Sequence, residues 1–202
     1  ITQIVDKHTV AQLIYEFGTL EGYLSSPYRY VGFGAAGEPF TGTCKLPSRS
    51  CQREVNPDAR TRHAAALRGR RALGDALSAG GGYRFYLDDW EMTSHTIDID
   101  AAWMPDELWL LSAEYRLYRQ SGASHYEPFY LQEDNPVLYT SDKELAPMTS
   151  HRLGLRGVRS WGIGAGDQKL RGVMSLGFSL YSFDDFIRVQ SITAFESTLG
   201  VE

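Results

Sequence analysis

Between Tyr83 and Gln120 the chain alternates apolar and polar residues in three segments separated by two short polar breaks. Leu77, Ala79, Gly81, Tyr83, Phe85 and Leu87 share one parity. Ile97, Ile99, Ala101 and Trp103 repeat it, and Trp109, Leu111, Ala113, Tyr115 and Leu117 repeat it again. Period-two alternation over roughly ten residues predicts strands with one apolar and one polar face. The polar parity carries full charges at Arg84, Asp98, Asp100, Glu114 and Arg116. A strand of a soluble sandwich has ~5–6 residues. Strands of ~9–11 residues with an apolar band, aromatic ends and a charged opposite face predict a transmembrane β-barrel.

The same alternation recurs elsewhere. A strand remnant is expected at Ile1 to Val5, then strands from Thr9 toward Tyr23, Arg60 to Leu73, Thr149 to Gly162, Lys169 to Ser182 and Arg188 to Glu202. About nine strands of an antiparallel up-and-down barrel result, in one domain covering 1–202, with long loops at about 25–58 and 121–147 and the rest of a larger barrel outside this chain. Turns after Val5, Leu73, Trp103 and Gly164 are short, whereas the long loops both belong to the opposite end, which assigns that end to the cell exterior. Hairpins centred on Gly74-Asp75, near Glu91 and on Met104 to Glu107 pair residues summing to about 150, 182 and 212. Even-numbered residues then stay on one face. Arg84 falls opposite Asp98, Asp98 opposite Glu114, and Gly80 and Gly82 opposite Arg70 and Arg68.

Composition narrows the picture without changing it. The 202 residues are 43% hydrophobic with a net charge of −5, which disfavours nucleic acid as a partner. No run approaches the ~18 apolar residues of a membrane helix. Cys44 and Cys51, with six residues between them in a Gly/Pro/Ser-rich loop, favour a local disulfide over a metal site. Ile1 opens directly into ITQIV, which reads as the second half of a strand and predicts a chain that continues upstream.

The candidate lumen-lining residues are Arg68, Arg70, Arg84, Asp98, Asp100, Glu114, Arg116, Arg152, Arg156 and Arg171, with Glu16 and Glu196 in the same set. They could line an aqueous pore, pair into a closed polar core or grip a plug, since an unpaired charge there is costly. Thr-Ser-His occurs twice, at Thr93 to His95 and Thr149 to His151. Adjacent strand residues point to opposite faces, so Ser94 cannot be served by His95, and rim polarity is the preferred reading. Asp88, Asp89, His95 and His151 lack metal-site spacing. Trp90, Trp103, Trp109 and Trp161 are expected in interfacial belts.

The motifs GYLSSPYR (Gly22 to Arg29), PDARTRHA (Pro57 to Ala64), YRFYLDDW (Tyr83 to Trp90) and YRLYRQSGASHYEPFY (Tyr115 to Tyr130) resemble a bacterial family of unknown function whose members are predicted to form outer-membrane β-barrels. The resemblance covers most of residues 1 to 130. It implies members longer at the N-terminus, and an association with a small lipoprotein and flavin-transfer machinery, hence extracytoplasmic electron transfer or export of a partner. The Cys44/Cys51 loop is not part of that pattern. The expectation is a non-enzymatic outer-membrane conduit, or a scaffold holding a partner protein or lipoprotein, with outer-membrane lipid around it and no cofactor. Tyr126, Phe129, Tyr130 and Tyr139 would form its outward binding surface. The rivals are an outer-membrane hydrolase using Ser94 or His151 and a soluble ligand-binding β-barrel.

Overall fold

The computed structural model describes residues 1–162 and 169–201 and is all-β, with no helix among them. In chain order the strands are β1 (Thr2–Asp6), β2 (Thr9–Glu21), β3 (Tyr30–Gly34), β4 (Cys51–Arg53), β5 (Ala59–Ala72) and β6 (Leu77–Asp88), followed by β7 (Thr93–Trp103), β8 (Trp109–Gln120), β9 (Tyr130–Leu131), β10 (Met148–Gly162), β11 (Lys169–Phe183) and β12 (Ser191–Val201). Nine of them form one antiparallel sheet, ordered β1-β2-β5-β6-β7-β8-β10-β11-β12. Each long strand pairs with its predecessor in the meander, as the alternating pattern requires. Gly74, at φ 98°, supplies the left-handed backbone of the β5–β6 turn. The short turn expected after Gly164 lies outside the described residues.

The sheet is open. β1 and β12 stand at its two edges, so the closed ring expected from the pattern is not formed by these strands. An odd number of antiparallel strands makes the two edge strands run the same way, which forbids antiparallel closure of nine alone. The sheet is nevertheless curled. Val10 and Gln12 of β2 and Glu196 and Thr198 of β12 line one cavity of about 920 Å³. Seven strand spacings separate β2 from β12, or roughly 34 Å in a flat sheet.

The register preserves the expected faces but moves the partners by two. Arg68 pairs with Gly82 and Arg70 with Gly80 as expected. Arg84, however, lies opposite Thr96, and Asp98 lies between Gly82 and Arg116 instead of facing Arg84 and Glu114. The β6–β7 hairpin is centred one residue earlier than expected, with Glu91 at a φ of 62° in a turn closed by Asp88, and the β7–β8 hairpin one residue later. β7 then starts at Thr93.

The two long loops are not open coil. β3, β4 and β9 form a second, three-stranded sheet, antiparallel between β3 and β4 and parallel between β3 and β9. Val31, Phe33, Tyr130 and Tyr139 are its core. A larger cluster of Trp90, Met92, Ala123, Tyr126, Leu145, Ala146 and Phe183, flanked by Leu24 and Phe186, joins all four connections at this end of the main sheet. We call this assembly the cap. Cys44 and Cys51 are disulfide-bonded within it.

Candidate functional site

On the enclosed face of the sheet the register collects the charges. Arg68, Arg70, Asp98, Asp100, Glu114, Arg116, Arg152 and Arg156 line the 920 Å³ cavity together with Glu196. Arg84 lines a second space of about 470 Å³ directly beneath the cap. Arg171 pairs with Ser160 on the same face at the short-turn end. These side chains solve a reach problem. An ion pair across two strand spacings requires the intervening strand to carry a small residue. Arg70 meets Asp100 over Gly80, where a Cβ would come 2.7 Å from the Asp100 carboxylate. Arg84 reaches Glu16 at 2.8 Å across β5, where the register places Ala64 and Ala66. Arg152 reaches Glu196 at 3.2 Å past Gly177. Between adjacent strands Arg116 meets Asp98 at 2.6 Å. Among the described residues Arg68, Arg156 and Arg171 make no ion pair, so the cavity keeps cations in excess of its paired acids.

The opposite face has the reverse character. No Asp, Glu, Lys or Arg lies on it between Glu21 at one end and Arg71, Arg119 and Arg159 at strand ends. Nothing covers it among the described residues: Phe17 is 62% exposed, Leu67 60% and Phe195 68%. Burying such residues would normally be worth ~1.5–3 kcal/mol each.

Three hairpins of this face carry the same hydrogen bond. A tyrosine hydroxyl meets a histidine Nδ1 at 2.8 Å for Tyr15 and His63, 2.6 Å for Tyr83 and His95, and 2.8 Å for Tyr115 and His151. Phe17 and Phe85 stack their rings beside the first two imidazoles. The fourth hairpin places Phe178 and Thr193 at the equivalent register positions. The paired tyrosines were missed in the sequence reading, although Thr-Ser-His was noticed twice. The full signal is Tyr-x-Phe/Leu on one strand followed by Thr-x-His on the next, and Thr61-Arg62-His63 belongs to it.

This geometry separates the proposed hydrolase pair. Ser94 is buried on the polar face, while His95 and His151 are held by tyrosines on the other. The rim quartet is equally divided. Asp88 is buried and fully engaged, accepting hydrogen bonds from Arg60, the Tyr86 hydroxyl and the Trp90 and Met92 backbone N–H groups.

The cap is a polar network on an apolar base. Arg60 lies over the Trp90 ring, 4.3 Å from its centroid, and Trp90 donates its indole N–H to the Ala59 carbonyl. Trp90 is therefore a core residue of the cap, not a membrane-belt residue. Tyr126, Tyr130 and Tyr139 are likewise buried in the cap and not outward-facing; Phe129 alone of the four is exposed. Tyr130 donates to the carbonyls of His125 and Thr140, and burial pushes its phenol up to about 12. His125 Nε2 sits 2.9 Å from the Asn56 side-chain oxygen. Burial first, and the Arg60 charge second, hold its imidazole below the ordinary value. Arg29 bridges Asp142 and, at 3.8 Å, Glu54, and Gln120 anchors the cap to β8 by donating to the Glu144 and Ala146 carbonyls.

A curled open sheet with its charges on the concave side and its apolar side bare, covered at one end by folded loops, defines the architecture. Residues 1–177 match the family described as "Protein of unknown function (DUF3570)", and the chain belongs to that family. No curated protein and no solved structure matches it.

Proposed function

We propose that this chain is the greater part of a closed outer-membrane β-barrel, further strands completing the ring, and that its charged interior holds or passes a polar partner beneath an external cap. The observation that carries this reading is an outer face charged only at its strand ends. It is continuous across the main sheet, while the charges gather on the enclosed side. The vertical scale agrees. His95 and Trp103 are eight residues apart on β7, and His151 and Trp161 ten apart on β10. At ~3.4 Å per residue and a strand tilt of ~45°, these separations span ~19–24 Å, close to the ~25 Å band of such barrels. The Tyr–His pairs would then sit at the outer interface and Trp103, Trp109 and Trp161 at the inner one.

The cap favours a guarded interior over a wide pore. It ties the β2–β5, β6–β7, β8–β10 and β11–β12 connections together, and Asp142, Glu144 and Leu145 reach into the space below it. A protein or lipoprotein segment entering from the short-turn side would meet the cavity around Arg68 and Arg156. Single-channel recording of the purified protein in a planar bilayer tests the reading. Low conductance that rises when the cap is loosened by reductant is expected. A protein that remains soluble and monodisperse without detergent would refute it.

A further inference from the structure

The bare outer face is not uniform. At its short-turn end a groove of about 1000 Å³ crosses β7, β8, β10, β11 and β12. Its walls are Trp103, Trp109 and Trp161, and small residues form its floor, Gly157 and Ala113 among them. Gly172 has no room for a side chain because the Trp161 ring lies across it, 2.7 Å from where a Cβ would stand. The indole is thus held down along the sheet, and the groove beside it stays open. Arg159 stands at the groove's end. Its guanidinium carbon is 5.0 Å from the Trp109 ring centroid and 5.4 Å from that of Trp161. It makes no ion pair or hydrogen bond among the described residues.

An arginine whose faces lie against indoles keeps its N–H edge free, and that edge matches the two oxygens of a phosphate. Apolar floor, aromatic walls and one cation at the level of the inner interface together fit a single kind of occupant. We propose that this groove binds one anionic glycerophospholipid of the inward-facing leaflet, its phosphate on Arg159 and an acyl chain along Gly157 and Ala113. The proposal rests on the membrane reading above.

The test uses the full chain reconstituted in vesicles of equal parts phosphatidylglycerol and phosphatidylcholine, released into mild detergent and weighed by native mass spectrometry. Phosphatidylglycerol should remain bound about tenfold more than phosphatidylcholine, because the choline cation offsets the phosphate charge that both lipids present to Arg159. Arg159→Gln should bring that ratio to about one. Gly157→Leu should reduce retention of both lipids, because a Cβ there meets only Leu111 at 3.5 Å and the added side chain fills the groove without disturbing the backbone. Heat-modifiable gel migration confirms that each variant is folded. Equal retention of the two lipids by the unaltered protein, or an unchanged ratio in Arg159→Gln, overturns the proposal while leaving the barrel intact. Failure of the unaltered protein to float with the vesicles overturns the membrane reading and this inference with it.

Discussion

The cap and the main sheet follow opposite rules of burial. In the cap Val31 is 0% and Phe33 3% exposed, and Arg29 reaches in from the surface to the buried carboxylates of Glu54 and Asp142. In the sheet Phe17 and Phe195 are bare and Arg84, Asp98 and Arg116 are turned inward. In the membrane reading proposed above, the cap is built for water and the sheet for an apolar surround, with the boundary along the row of Tyr–His pairs.

The contrast can be broken most forcefully from the cap side. Phe33→Ala should remove about 3–5 kcal/mol from the cap, seen as rapid proteolysis within 35–58 while the sheet stays folded in detergent. Unfolding of cap and sheet together would mean that they share one core. The reverse substitution belongs on the sheet. Ile99→Arg should cost about 2–4 kcal/mol in reversible folding into lipid vesicles, whereas Tyr28→Arg, on the exposed surface of the cap, should be within ~0.5 kcal/mol of neutral. Equal effects would mean that both regions face water. Reduction of Cys44–Cys51 should weaken the cap by about 2.5 kcal/mol, as expected for so short a loop. The readout is a lowered urea midpoint for cap proteolysis, with no change in vesicle folding.

The smallest effect is a pH response confined to the cap. His125 has a folded value below its ordinary one, so its contribution is complete above about pH 6.5. It is lost as pH falls through the depressed folded value, because protonation must then occur beside Arg60 in a buried site. Amide exchange around Thr140 should quicken as pH drops below about 6, after correction for intrinsic rates. His125→Gln should flatten that response.

Much of the sheet was legible because period-two alternation needs no tertiary information. The parity of Tyr83 to Leu87 alone assigns faces, and the even hairpin sums carry that assignment from strand to strand. The exact partners were not legible. A two-residue shift at the Glu91 turn keeps every residue on its face, so the pattern cannot detect it, and only the turn geometry set by Asp88 fixes Arg84 opposite Thr96. The cap was missed for another reason. Its short strands pair across both long loops, β3 with β4 about 20 positions on and with β9 about 100 positions on, as Phe33 does with Tyr130. Five residues or fewer per strand give too little alternation to read, and loop composition pointed to coil. Tyr126, Tyr130 and Tyr139 were read as an exposed surface because aromatics in a loop offer no local sign of what they pack against. The disulfide was readable because its partners are close in sequence.

The cap also dictates an order of assembly. Arg29 and Asp142 are 113 positions apart, and Val55 bonds through its backbone to Tyr139. Closing either contact before β5, β6, β7 and β8 have paired would cost the entropy of a large chain loop, so cap closure is expected to follow strand pairing. Interactions made after the rate-limiting step slow unfolding without hastening folding. On that order the cap is a latch that engages on a finished wall, and its protection from protease should report that the strands beneath it are already in place.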